Sequence, residues 1–162
     1  MGPTSAGKTT LATRFVEKWR QRDLPVMHFD GDEIRDFFGP DHGFGPGDRL
    51  RVVSTLVFLA RKANEAGVSV IISALTAHED ARTLVAEELP DALVGYVECS
   101  IDQCAERDPK GLYARAKAGE IDTLVGWNSE YVPPANPALV LNTENADPDA
   151  LFEMTDRFLV RR

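Results

Sequence analysis

Cysteine is scarce in this chain of 162 residues: Cys99 and Cys104 are the whole complement, and they lack the spacing of a paired metal motif. That excludes a small disulfide-stapled scaffold and points to a reduced, cytoplasmic protein in which both thiols act as small apolar filler. Long apolar runs are missing too. Nothing approaches the roughly 20 residues of a transmembrane helix, and no signal peptide is legible, so a membrane partner is not expected. Positive charge is in deficit, with 18 Lys and Arg against 26 Asp and Glu and a net charge of −8. The imbalance argues against general affinity for nucleic acid or an anionic membrane, and an anionic small molecule would need a local basic site. Internal repeats and low-complexity linkers are also lacking. What remains is ordinary globular composition, 43% apolar and 27% charged, expected to form one domain over residues 1–162 without disulfides.

Against those absences one stretch stands out, Gly2-Pro3-Thr4-Ser5-Ala6-Gly7-Lys8-Thr9-Thr10. It fits G-x-x-x-x-G-K-[ST], the phosphate-binding loop of nucleotide enzymes. Glycines let the backbone form a concave nest whose N–H groups face phosphate oxygens. Lys8 is placed to reach the β- and γ-phosphates, and the Thr9 hydroxyl to ligate Mg²⁺. Thr10-Leu11-Ala12 opens a helix whose positive end faces the same anion. ATP or GTP binding follows, with Gly2, Thr4, Ser5, Ala6, Gly7, Lys8, Thr9 and Thr10 as the contact set. Such a loop normally follows a buried apolar strand, yet Met1 alone precedes Gly2. The expectation is a sheet whose first strand is missing from this sequence, through truncation or a misplaced start.

Downstream, apolar periodicity predicts alternating helices and strands. Leu11, Phe15 and Trp19 share a helical face that ends at Arg20–Asp23, and residues 25–29 read as a short strand running into Asp30-Gly31-Asp32. Breakers from Gly39 to Gly47 mark a loop, residues 48–66 a long helix, and Gly67 its C-cap. Val68–Ser73 is a continuous apolar run, as in a parallel strand covered on both faces. A helix at 78–89, a strand near 93–98, helices at 102–107 and 111–118, and an irregular stretch to Pro137 follow. A strand at 139–141 and an amphipathic helix at 147–162 close the chain. The pattern is an α/β three-layer sandwich with a parallel sheet, in which ligands collect at the carboxyl ends of strands.

Phosphoryl transfer requires a positioned metal, neutralised phosphate charge and an aligned acceptor hydroxyl. Asp30 and Asp32, two residues apart at a strand's end, can serve the metal and the acceptor's proton. The alternative is an Asp-Gly turn capping the helix that Glu33-Ile34-Arg35 begins. Arg35 and Arg49 can grip an anionic acceptor through guanidinium forks, although a single arginine also suits a solvated surface. Phe44, between Gly43 and Gly45, can stack on a base or anchor its loop. Arg107 and Lys110 flank a break at Pro109 and form either a cationic lid over ATP or a charged helix end.

Several blocks resemble the adenylylsulfate kinase family. They are Gly2–Thr10, Phe29-Asp30-Gly31-Asp32-Glu33-Ile34-Arg35, Gly43-Phe44 with Asp48-Arg49, Arg107-Asp108-Pro109-Lys110-Gly111-Leu112-Tyr113, Ala118-Gly119-Glu120-Ile121 and Asn136–Thr143. They run in order from residue 2 to about 143, and the 107–121 stretch is the most distinctive. The resemblance implies a P-loop kinase of sulfate assimilation that uses MgATP to phosphorylate the ribose 3′-hydroxyl of adenylylsulfate, and it implies homodimers. Lys8, Asp30 and Asp32 would then be catalytic, with Thr9 and Asp30 at Mg²⁺. Asp32, Arg35, Phe44 and Arg49 would hold the nucleotide acceptor, and Arg107 and Lys110 would form the ATP lid. Thr76 stands where the family carries a serine sometimes described as a phosphorylated intermediate, which direct transfer does not need. Three departures fall on the acceptor side: Val52 replaces an asparagine, Asp122 a lysine and Leu124 an aromatic residue. Two other readings therefore stay open, a kinase of the same scaffold with another nucleotide-like acceptor and a nucleotide-binding module without catalysis.

Overall fold

The computed structural model describes residues 1–160, so the expected end of the last helix at Arg162 lies outside the described residues. The elements alternate in order: α1 (Lys8–Arg20), β1 (Val26–Asp30), α2 (Gly31–Phe38), α3 (Pro46–Glu65), β2 (Ser69–Ser73) and α4 (Glu79–Glu88). There follow β3 (Gly95–Glu98), α5 (Ile101–Arg107), α6 (Leu112–Lys117), β4 (Leu139–Asn142) and α7 (Pro148–Val160). The strand pairing is parallel, β1 with β2 from Val26 opposite Ser69 to Asp30 opposite Ser73, and β3 with β4 from Gly95 opposite Leu139 to Glu98 opposite Asn142. The fold is the expected α/β P-loop sandwich.

The two strand pairs are separate, with no ladder between β2 and β3. Met1 lies along the free edge of β3, where its ammonium donates to the Gly95 carbonyl at 2.7 Å and Val97 N–H donates to the Met1 carbonyl at 2.8 Å.

Helices cover both faces. Along β2, successive side chains point to opposite sides. Ile71 packs with Leu11, Phe15, Val97, Leu141 and Phe152, whereas Ile72 packs with Val52 and Leu56 of α3. That is the physical content of a continuous apolar run. The first layer is held by aromatic edges, Phe15 and Trp19 lying 5.5 and 6.1 Å from the Phe152 ring.

Several boundaries shift by a residue or two from the periodicity, and three of the shifts have a local cause. α1 starts at Lys8, not Thr10, because Gly7 takes the left-handed conformation (φ 91°) and turns the loop directly into helix. α3 starts at Pro46 inside the expected loop, since proline suits the first helical position and Asp48 accepts the Gly45 amide at 3.2 Å. β3 begins at Gly95, not Leu93, where its partner β4 begins. Among the described residues no helix is long and apolar enough to cross a membrane. Cys99 and Cys104 are buried and unpaired, the filler role expected of them.

Candidate active site

The loop before α1 and the carboxyl ends of β1 and β2 open into one cleft of about 890 Å³. The loop is built on left-handed turns at Ser5 (φ 62°) and Gly7, a backbone pattern of the kind that forms anion-binding nests. Gly2 is required for a different reason: a Cβ there would stand 2.5 Å from the Val97 carbonyl oxygen. Tyr113 of α6 clamps the loop from outside, its hydroxyl donating to the Thr4 carbonyl at 3.1 Å. Thr143, after β4, donates to the Ala6 carbonyl at 2.8 Å. Neither anchor was drawn from the sequence, since both depend on long-range packing.

Lys8 closes across its own loop and donates to the Pro3 carbonyl at 2.6 Å. Burial lowers its pKa to about 8, although Asp32 and Asp30 push the other way. Thr9 donates its hydroxyl to Asp30 Oδ2 at 2.6 Å. Asp30 also accepts from Ser73 Oγ at 2.5 Å and, through Oδ1, from the Asp32 amide at 2.8 Å. Burial alone would raise its pKa, but these hydrogen bonds and nearby His28 outweigh it and hold the carboxyl below its ordinary value. One Asp30 oxygen caps α2 while the other receives Thr9 of the loop, so capping the helix leaves the second oxygen turned to the loop. A threonine hydroxyl and one carboxylate are hard oxygen donors, and that set suits Mg²⁺, which keeps water and phosphate oxygens for the rest of its shell. Among the described residues no group of three or more His, Cys, Asp or Glu is arranged for a metal.

Asp32 projects into the cleft, and Lys110 reaches it at 2.5 Å from across the opening. Arg107 donates to the Thr143 carbonyl at 2.6 Å, which fastens α5 beside the loop. At the other end, Arg35 and Arg49 flank the half-exposed Phe44 ring at 4.4 and 5.9 Å. Both guanidiniums also hold backbone, Arg35 the Gly43 carbonyl and Arg49 the carbonyls of Phe44 (2.9 Å) and Thr123 (2.8 Å). Burial lowers both of their pKa values. Of the residues named from the sequence, Thr4, Ser5, Gly7, Lys8, Thr9 and Thr10 line the cleft together with Asp30, Asp32, Arg35, Phe44, Arg49, Arg107 and Lys110. Gly2 and Ala6 are buried beneath the loop.

The departures sort differently from the sequence expectation. Val52 and Leu124 line the cleft but are buried, Leu124 within the main core cluster. Asp122 is exposed and is not among the cleft-lining residues. Thr76 lines the cleft with φ 44°, a left-handed conformation uncommon for a β-branched residue. Missed altogether were His28 and Ser73, which meet at 2.7 Å behind Asp30. A signal existed: His28 shares a strand face with Asp30, and Ser73 sits opposite it in register.

Comparison with known proteins agrees with this geometry. The family model described as adenylylsulphate kinase matches residues 1–142. The chain belongs to the adenylylsulphate kinase family. Among curated relatives, a probable adenylyl-sulfate kinase of Pyrococcus abyssi is 33% identical over 156 residues, covering 96% of this chain and 90% of the relative. The adenylyl-sulfate kinase of Gloeothece citriformis is 33% identical over 143 residues, covering 88% and 81%. Among solved structures, the APS kinase CysC of Mycobacterium tuberculosis in complex with AMPPNP and APS superposes with a TM-score of 0.92 at 29% identity. That match covers 99% of this chain and 94% of the other. A gluconokinase from Sinorhizobium meliloti, 16% identical with a TM-score of 0.66, shares the fold. As a family member the chain is a phosphotransferase with ATP as co-substrate and a hydroxyl acceptor.

Proposed function

We propose that residues 1–162 form one cytoplasmic kinase domain that transfers the γ-phosphoryl group of MgATP to the ribose 3′-hydroxyl of adenylylsulfate, giving 3′-phosphoadenylylsulfate. The observation that carries this reading is a single cleft lined both by the phosphate loop and by the Arg35–Phe44–Arg49 cluster. Asp32 lines the same cleft. Phosphate oxygens would draw the Lys8 ammonium from the Pro3 carbonyl, while Thr9 and Asp30 would hold the metal, which neutralises developing phosphate charge. Asp32 accepts the proton of the acceptor hydroxyl as that oxygen bonds to the γ-phosphorus. The bond to the bridging β-oxygen breaks, and ADP leaves with its electrons. Lys110, freed from Asp32 when the acceptor enters, is positioned to close over the triphosphate. Arg35 and Arg49 present cations to the acceptor's anionic groups, with Phe44 offering a ring to its base.

A second reading, another nucleotide-like acceptor, is favoured by Val52 and Leu124, which present aliphatic surface where the family carries an amide and a ring. An ADP-release assay across adenylylsulfate, adenosine phosphates and other nucleoside diphosphate derivatives tests both. Turnover of adenylylsulfate with the highest kcat/KM supports the first reading. A preference for another acceptor replaces it with the second, and ATP binding without turnover on any acceptor leaves a binding module.

A further inference from the structure

We propose that His28 is a positioning residue for Asp30, acting through Ser73 to hold the carboxylate that receives Thr9. The inference rests on the proposed reading of Thr9 and Asp30 as the metal side of the site. It comes from counting protons along four side chains. Asp30 Oδ2 accepts from both Thr9 Oγ1 (2.6 Å) and Ser73 Oγ (2.5 Å). A serine hydroxyl has one proton, and here it is committed to the carboxylate. The Ser73 oxygen can then only accept from His28 Nε2, 2.7 Å away. Nε2 must therefore carry a hydrogen, whichever charge state the ring adopts.

A serine beside a histidine and an aspartate invites comparison with a nucleophilic triad, but the connectivity is wrong. In a triad the aspartate orients the imidazole and the imidazole accepts the serine proton. Here Asp30 bonds to Ser73, stands 3.9 Å from His28 Nε2, and takes the serine proton itself. Ser73 is buried, so it is a relay and not a nucleophile. The work of the chain is orientation. Without the donor at Nε2, the Ser73 hydroxyl is free to rotate toward other acceptors. Asp30 Oδ2 then loses one of two donors, and the carboxylate is held only by Thr9 itself and by the Asp32 amide. Strand geometry supplies the arrangement, since His28 and Asp30 lie on one face of β1 and Asp30 stands opposite Ser73 on β2.

The test uses the metal-free protein first. Long-range ¹H–¹⁵N imidazole spectra, with His28 assigned by its loss in His28→Gln, should show Nε2 protonated, and Ser73→Ala should release that preference. Next, Mg²⁺ is titrated into the complex with a non-hydrolysable ATP analogue, followed by calorimetry. His28→Leu and Ser73→Ala should each weaken apparent Mg²⁺ affinity about 3- to 10-fold, the range of one net hydrogen bond. His28→Gln, whose amide can still donate, should stay close to wild type. Thermal unfolding of all three variants separates positioning from packing, since a purely structural role would move His28→Gln and His28→Leu together and leave metal affinity alone. A His28 ring with Nδ1–H and bare Nε2, or equal metal affinity in His28→Leu and wild type, overturns the proposal. Failure of the kinase reading would instead appear as absent turnover in wild type while the Nε2–H signature and the metal effect persist.

Discussion

Lys8 is held at a cost in the ligand-free molecule. Its folded pKa, about 8, lies below the ordinary lysine value of 10.5, with burial as the main cause. Between those two values the unfolded chain binds more protons than the folded one, so ligand-free stability should rise with pH across that window. A bound triphosphate restores the charge. ATP binding at pH 8 should therefore take up about half a proton, read by calorimetry in buffers of different ionisation enthalpy; proton release would show that Lys8 does not meet the phosphates. Lys8→Ala should remove most ATP affinity and leave the fold intact, and unchanged affinity would refute the loop assignment. Asp32 offers the complementary test. It is exposed and tied to α2 by its backbone, so Asp32→Asn should lower kcat far more than it weakens ATP binding. Equal turnover would leave the residue with its helix-start role alone.

Among the elements, the phosphate loop and α3 are the least tolerant of change. Gly2 has no room for a Cβ against the Val97 carbonyl, and the obstacle is backbone, which cannot swing away as a flexible side chain can. Gly2→Ala should lift the loop from the edge of β3, lowering both the unfolding temperature and ATP affinity. Loss of stability without loss of affinity would show that the loop keeps its shape independently of that edge. On the opposite face, Leu56 of α3 is 1% exposed and packs against the strand pair that carries Asp30. Leu56→Ala should cost about 2–5 kcal/mol, measured by denaturant unfolding. The Lys110–Asp32 pair is of another kind. Both partners are more than half exposed, so it sets the resting position of the α5–α6 connection and adds little to stability.

For the whole molecule, the separated strand pairs are decisive. Strands of four and five residues in two independent pairs have no common ladder, so the halves are joined by helices and by side-chain packing in the main core, where Ile71 of β2 lies against the cluster holding Val97 and Leu141. A ligand gripping the loop, β1 and the 107–110 connection at once would act as a tie between them. Stabilisation by mass action at 100 times Kd amounts to about 2.7 kcal/mol. For a chain of this size that should raise Tm by about 5–10 °C with MgATP. A transition that MgATP leaves unmoved would show that the cleft does not bind the nucleotide at that concentration.

Local chemistry alone determined the phosphate loop, the alternation of strands and helices, and the cleft residues from Lys8 to Lys110, because each is written in contiguous motifs. The run Val68–Ser73 announced a strand covered on both faces because apolar residues at successive positions have no other way to be buried. Tertiary structure decided what depends on distance in the chain. It left Asp122 exposed and put Leu124 into the core, although a single residue separates them, because burial is set by what packs above and not by neighbours in sequence. It gave the two Asp30 oxygens different partners, Thr9 for one and the Asp32 amide for the other. It also brought His28 and Ser73, 45 positions apart, to hydrogen-bond distance across a parallel register that periodicity can suggest but cannot assign.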